Sequence, residues 1–399
     1  MTALFDRLDR SGSIRFDEFV EVALYGPGGF YTEGGGAGRR GGDFLTSPEV
    51  GPLFGAVVAS YLDATWDRLG RPDEFVLVEA AAGRGALALS VLAAAPACAP
   101  ALRYLLVERS PVLRARQAEH LALAEPFVVL GSSREAGDED DATGPVSVDA
   151  ATVGPIVVSL PDLPAEPVTG VVIANELLDN LPFRLLERTD TGWAEVRVTR
   201  SGSRPAPVGV DGPDDHGSGA GEGTMELLVP ADARTARRAD RLAPNAPPGA
   251  RIPLQDESVD WLRSACEVVE RGSVLVVDYA VAATTELADR PWREWVRTYV
   301  DHGRGGGPLE GPGTQDITVE VAVDQLSTIR TPVVDVSQAD WLRGWGIEHL
   351  VEEGRRVWEA GAGLGDLEAL RGRSRVAEAE ALCDPSGLGA FRVLEWHLP

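Results

Sequence analysis

FVLVEAAAGRGALALS, residues 75–90, changes character twice within one short stretch. The continuous apolar run of 74–80 suits a strand buried on both faces. Gly83-Arg84-Gly85 interrupt it, and an alanine-rich run with high helix propensity follows to residue 95. Glycines at such a turn let the backbone approach a ligand closely. The helix N-terminus beyond them offers N–H groups that no preceding turn can satisfy.

Outward from this turn the pattern repeats. LRYLLVERS (102–110) reads as a second strand, and PVLRARQAEHLA (111–122) as a helix with proline at its first position. Further apolar runs lie at 154–164, at 170–174 within TGVVIANELLDNLPFRLLE (169–187), and at 272–280. Strands alternating with helices predict an α/β fold with a doubly wound, parallel, Rossmann-like sheet. Upstream, Phe16, Phe19, Val20 and Ala23 recur at helical spacing, 25–54 is dense in glycine, and Leu53–Leu69 reads as a second apolar helix. Residues 1–74 are thus expected as a helical extension with a glycine-rich loop, and 75–399 as the main domain. The Gly/Ser/Asp-rich stretches 131–153 and 199–224 read as flexible inserts. A further helix is expected over 338–346.

Composition narrows the function. The chain has 399 residues, 44% of them hydrophobic and 25% charged, which is ordinary for a globular protein and excludes global disorder. Thirty-seven basic residues, all arginine, stand against 62 acidic ones, for a net charge of −25. Such a surface repels phosphate backbones and argues against nucleic acid. It would attract a basic protein or peptide. Excess acid also keeps a protein soluble, and the missing lysine fits a GC-rich genome, so the charge reads both ways. Three separated cysteines and five scattered histidines show no metal-ligand spacing, so no metal site is expected. No signal peptide or membrane-length apolar stretch is seen, and a cytoplasmic location is expected.

Glu108 closes the second strand 23 residues after Gly85. A carboxylate there can accept hydrogen bonds from both hydroxyls of a ribose. Gly83-x-Gly85-x-x-Ala88 satisfies a dinucleotide fingerprint, though that pattern alone is weak. Glu79, four residues before Gly83, tips the choice. A diphosphate is repelled by a nearby carboxylate, whereas S-adenosylmethionine (SAM) carries a sulfonium and an ammonium that favour one. Electrostatics therefore points to SAM rather than NAD. As alternatives, Glu79 is a polar strand end and the glycine pair a plain tight turn.

The chain resembles the MidA family of SAM-dependent methyltransferases. The similarity runs nearly end to end. It rests on FVEVALYGPGGFYTEG (19–34), GDFLTSPEVGPLFG (42–55), VEAAAGRGAL (78–87), LLVERSPVLRARQ (105–117), VIANELLDNLPF (172–183), LVVDYA (275–280), GPGTQDIT (311–318) and DPSGLGAFRVL (384–394), in this order. That family includes a mitochondrial complex I assembly factor that dimethylates an arginine. The resemblance implies a class I SAM-dependent methyltransferase sheet, SAM as cofactor and a protein arginine as substrate. One departure stands out. Members usually read Glu-Leu-Gly-Pro-Gly-Arg-Gly at the SAM turn, and Ala81 replaces the first of those glycines here.

By the same resemblance, GDFLTSPE lines the SAM pocket and substrate entrance. Asp43 and Thr46 become candidates for cofactor binding, and Glu49 for a cationic group. A capping role competes, with Thr46 or Ser47 as N-cap, Pro48 at N1 and Glu49 in the first turn. ANELLDNLPF follows a strand, which places Asn175, Glu176 and Asp179 at its carboxyl end. Asn175 would cap a following helix or touch the cofactor. Glu176 and Asp179, three apart on a helix face, could grip a guanidinium and take its proton. Asp278 and Tyr279 end another strand and either line the pocket or do not. Two other functions compete: an NAD-dependent oxidoreductase, and a non-catalytic binding or assembly protein that keeps the fold.

Overall fold

A computed structural model describes residues 2–33, 46–126, 129, 154–201, 223–300, 303–362 and 367–399. The stretch 131–153, residues 202–222 and Asp43 lie outside the described residues. The chain packs as two compact units interleaved along the sequence. One comprises Met1–Gly35, Asn180–Val259 and Val281–Gln325; the other comprises Gly36–Asp179, Asp260–Ala280 and Leu326–Pro399. The division falls elsewhere than at residue 74, because Ser13–Arg15 pairs with Gly192–Arg200 and joins the N-terminal residues to later ones.

The second unit is built on an eight-stranded sheet. Its strands are β1 (Phe75–Ala80), β2 (Leu102–Val107), β3 (Leu123–Ala124), β4 (Ile156–Leu160), β5 (Val168–Asn175), β6 (Val269–Asp278), β7 (Val334–Ser337) and β8 (Arg392–Leu398). Their spatial order is β7-β8-β6-β5-β1-β2-β4-β3. From β6 to β3 every pairing is parallel, as expected. The parallel pattern stops at one side of the sheet, where β8 runs antiparallel to both β6 and β7. A buried apolar run announces a strand but carries no information on its direction.

Alternate residues of the strands form one face of the core. Phe75 and Leu77 of β1, Leu102, Tyr104 and Leu106 of β2, and Leu275 and Val277 of β6 pack with helices Pro52–Arg68 and Ala86–Ala93. In the longer helix, Leu53, Phe54, Val57, Val58, Tyr61 and Leu62 recur at three- and four-residue intervals and are buried. Each such side chain contributes roughly 1.5–3 kcal/mol of transfer free energy. This packing fixes the sheet edge on which the site is built.

The first unit holds helices Thr2–Ser11 and Phe16–Tyr25 and a wholly antiparallel sheet of Ser13–Arg15, Arg184–Thr189, Gly192–Arg200, Thr224–Pro230 and Arg251–Leu254. The expected insert at 199–224 joins two neighbours of this sheet, with Arg200 opposite Thr224. A separate sheet contains Val296–Val300, Gly303–Arg304 and Asp316–Val319.

Candidate functional site

Parallel pairing sets the carboxyl ends of β2, β1, β5 and β6 side by side. Each of these ends carries an acid: Glu108, Glu79, Glu176 and Asp278.

The turn after β1 is wound through the left-handed region, with Ala81 at φ 55°, Gly83 at 52° and Gly85 at 82°. Ala82 N–H donates to Val107 O at 3.0 Å, and Gly83 N–H donates to Glu108 Oε2 at 2.9 Å. The other carboxylate oxygen of Glu108 accepts from Ser110 N–H at 2.7 Å. Burial pushes the Glu108 carboxyl up, against the pull of these two N–H groups. Gln117 is fully buried. Its Nε2 donates to Gly83 O at 2.8 Å, and its Oε1 accepts from Ser159 Oγ at 2.6 Å. A Cβ on Gly83 would meet no atom within 4 Å, so the backbone there faces open space. A Cβ on Gly85 would lie 2.7 Å from Leu121 Cδ1, so that glycine also serves packing. The turn is thus an open cradle with Glu108 at its side.

Glu79 is buried beneath the turn. Tyr104 Oη donates to its Oε2 at 2.6 Å. Loss of water pushes its carboxyl up to about 8, and the charge of Glu108 adds to the rise, while the Tyr104 hydrogen bond works the other way.

Glu176 follows β5 with φ at 52°, a left-handed conformation outside glycine. The expected helix face shared by Glu176 and Asp179 is not formed, and Asn175 caps no helix. A 3₁₀ turn, Leu178–Asn180, stands there instead. The reason is Asp278, whose Oδ2 accepts from Leu178 N–H at 2.8 Å and Asp179 N–H at 3.4 Å. Its Oδ1 accepts from Tyr279 N–H at 2.8 Å.

Glu176 Oε1 accepts from Ser47 N–H at 3.1 Å and Asn175 Nδ2 at 3.0 Å. Burial pushes Glu176 to about 8, with further upward pressure from Asp278 and Glu49. Asp278, almost fully buried, is pushed up to about 7 by desolvation, against the pull of the backbone N–H groups it accepts from. Glu176, Glu49 and Asp278 therefore form a crowded set of acids that a cation would relieve.

Thr46 occupies the N-cap position of the short helix Ser47–Val50, but its side chain makes no capping hydrogen bond. Ser47 instead donates through Oγ to Gln338 Oε1 at 2.9 Å. Asp179 is buried beside the acids of the strand ends. Asn175 Oδ1 is buried and has no hydrogen-bond partner among the described residues. The sequence reading did not single out Gln117, although it lies in the quoted motif 105–117.

In the first unit, Asn180 joins three quoted motifs. Its Nδ2 donates to Asp316 Oδ1 at 2.9 Å, Tyr25 Oη donates to Asn180 O at 3.2 Å, and Tyr31 Oη lies 3.1 Å from both Asn180 Oδ1 and Asp316 Oδ1. Sequence order gave no hint of this convergence.

SAM fits the second unit's edge on three observations: the open space over Gly83, the Glu108 carboxylate beside it, and the unsatisfied Asn175 oxygen that a ligand ammonium can satisfy. Comparison with known proteins agrees. A family model described as "Putative S-adenosyl-L-methionine-dependent methyltransferase" matches residues 57–337. The rat protein arginine methyltransferase NDUFAF7, mitochondrial, is 27% identical over 361 residues, covering 86% of this chain and 73% of its own. A crystal structure of a Burkholderia thailandensis protein bound to S-adenosyl-homocysteine (SAH) matches with a TM-score of 0.76 at 26% identity, over 99% of this chain and 91% of that one. A second crystal structure from the same organism shares the fold, with a TM-score of 0.72 at 24% identity over 99% and 90%. The chain belongs to this MidA-like family of SAM-dependent methyltransferases.

Proposed function

We propose that this methyltransferase acts on an arginine guanidinium of a protein, with Glu176 as the group that holds the guanidinium and takes its proton. The observation that carries the reading is the burial of Glu176 near the charges of Asp278 and Glu49: loss of water first, and those charges after it, raise its carboxyl to about 8. The relatives named protein arginine methyltransferases support the substrate class. The net charge of −25 supports a basic partner.

Gly83, Gly85 and Glu108 would hold the nucleoside of SAM. Asn175, Glu79 and Thr46 are the candidates for its cationic end, together with Asp43 from the sequence. When bound, SAM supplies a methyl group on a sulfonium, a carbon already activated for displacement. The protein's work is then alignment and exclusion of water. A guanidinium is planar and forked, so two carboxylates grip it better than one. We read Glu176 and Glu49 as that pair, since the charge of Glu49 acts on Glu176. Asp179, buried, is a further acid candidate. Raised to about 8, the Glu176 carboxyl is mostly protonated near neutrality in the ligand-free protein; a bound guanidinium favours its ionised form, which can then take the proton. Ser47 N–H and Asn175 Nδ2 orient its Oε1.

The test is incubation with methyl-labelled SAM and an arginine-rich polypeptide, beside the same polypeptide with lysine at every arginine. Mass spectrometry should place the methyl on a guanidinium nitrogen, and the lysine version should stay unlabelled. Label on lysine, or on neither, would remove arginine as the substrate.

A further inference from the structure

The first unit contains a cleft that the methyltransferase reading does not use. It has a volume of about 610 Å³ and is lined by Arg290, Arg293, Arg297 and Arg304, with Val296 and Pro308 among its apolar walls. That size lies within the roughly 300–1,000 Å³ of small-molecule sites.

Its charge runs against the molecule. The whole chain carries −25, yet four of the ten lining residues are arginine. Glu320 bridges Arg290 and Arg297, at 2.5 Å and 2.7 Å. Glu294 is the one acid in the lining. With Glu320, Glu294 and Glu310, whose carboxylate lies against Gly306 and Gly307, counted against the four guanidinia, an excess of one positive charge remains around the cleft.

Arg293 and Arg304 are the two of these guanidinia that stand outside the Glu320 ion pairs. Both are exposed, and among the described residues neither has a hydrogen-bond or ion-pair partner. Each is held on an aromatic face instead. The Arg293 guanidinium lies 4.7 Å from the Trp292 ring centre, and that of Arg304 lies 5.6 Å from Tyr299. Stacking restrains a guanidinium while leaving its in-plane N–H groups free to donate. Elsewhere in this acidic chain arginines find carboxylates readily, as Arg251 does with Glu187 and Glu226. Two stacked and unpaired guanidinia on one cleft form a preorganised pair of forks, the geometry that suits oxyanions.

We propose that this cleft is a second ligand site, for a small molecule bearing two or more oxyanionic charges, carboxylate or phosphoryl. Arg293 and Arg304 engage the anionic groups, and the Glu320-braced Arg290 and Arg297 form the positive floor. The site lies within one unit and does not depend on the assignment of the methyl-transfer residues.

Calorimetric titration of the full chain with citrate and with pyrophosphate, in 0.15 M salt, tests it. The wild type should bind at least one of them saturably, and Arg293→Ala/Arg304→Ala should weaken that binding roughly tenfold or more. Binding of citrate alone would identify carboxylates, and of pyrophosphate alone phosphoryl groups. A control pair, Arg237→Ala/Arg241→Ala, removes two exposed arginines outside the cleft and should leave the affinity unchanged. Circular dichroism and the thermal unfolding midpoint, measured on the same samples, report that the cleft variant is folded. No saturable binding of either anion, equal affinity in the cleft variant, or equal loss in the control pair overturns the proposal.

Discussion

Gly83 N–H donates to Glu108 Oε2 at 2.9 Å, so the acid that closes β2 also holds the turn that closes β1. A ribose at this edge would meet a carboxylate already oriented by Gly83 and by Ser110. Replacing Glu108 with glutamine puts an amide NH₂ where one of two N–H groups now donates. Hydrogen bonds to charged groups are worth about 1.5–3 kcal/mol each. We expect Glu108→Gln to weaken SAH by about 2–3 kcal/mol, roughly 30- to 150-fold in Kd. Calorimetric titration measures this, and an unchanged Kd would take Glu108 out of the ligand site.

Ala81 holds φ at 55° in a position where family members usually have glycine. Its side chain is exposed, so little packing is lost when it changes. The left-handed conformation costs an alanine about 1–2 kcal/mol, and glycine gives back about 0.5–1 through the entropy of the unfolded chain. Ala81→Gly should therefore stabilise the protein by up to about 1 kcal/mol. Ala81→Val, β-branched, should destabilise it by about that much or more. Denaturation midpoints of the three proteins decide. A valine variant as stable as wild type would mean that the turn is not wound as described.

Glu176→Gln keeps the shape of the side chain and can still accept from Ser47 N–H, while losing the ability to take a proton. Proton transfer by a positioned group contributes about 10²–10⁴-fold. The variant should keep SAH binding within about threefold and lose methyl transfer by a factor in that range. Full turnover would move the base elsewhere, with Glu49 next to be examined by the same substitution.

The parallel half of the sheet was legible in the sequence because buried strands between helices leave continuous apolar runs, as in Phe75–Ala80 and Leu102–Val107. The antiparallel sheet of the first unit was not assigned, although WAEVRV alternates after Gly192. Its pairing of Ser13–Arg15 with Arg197–Thr199 joins residues far apart, and no local pattern reports that. Glu79, Glu108 and Glu176 were found as strand-end acids. The arrangement around Glu176 was misread for one reason: ELLD has helical spacing, but Asp278, about one hundred residues later, accepts the N–H groups of Leu178 and Asp179. A tertiary hydrogen bond overrode a local preference.

The acids of the site also set how stability depends on pH. Glu79 and Glu176 are raised to about 8 and Asp278 to about 7, from ordinary values of 4.5 and 3.8. Between those limits the folded protein holds protons that the unfolded chain releases. The stabilisation from these groups is therefore complete below about pH 4 and is lost as pH rises towards 8. Each group contributes a slope of at most about 1.4 kcal/mol per pH unit. The carboxyls lowered by their partners, such as Asp232 at about 2, act only at lower pH and leave this window clear. Ligand-free protein should thus become less stable from pH 5.5 to 7.5, and Glu79→Gln should flatten the decline by about 1 kcal/mol per pH unit. SAM, whose cationic end favours the ionised carboxylates, should bind more tightly as pH rises through the same range. Chemical denaturation at three pH values, with and without SAM, reads both effects. Parallel pH profiles for wild type and Glu79→Gln would show that Glu79 is already ionised in the folded protein and that no proton is released there on binding.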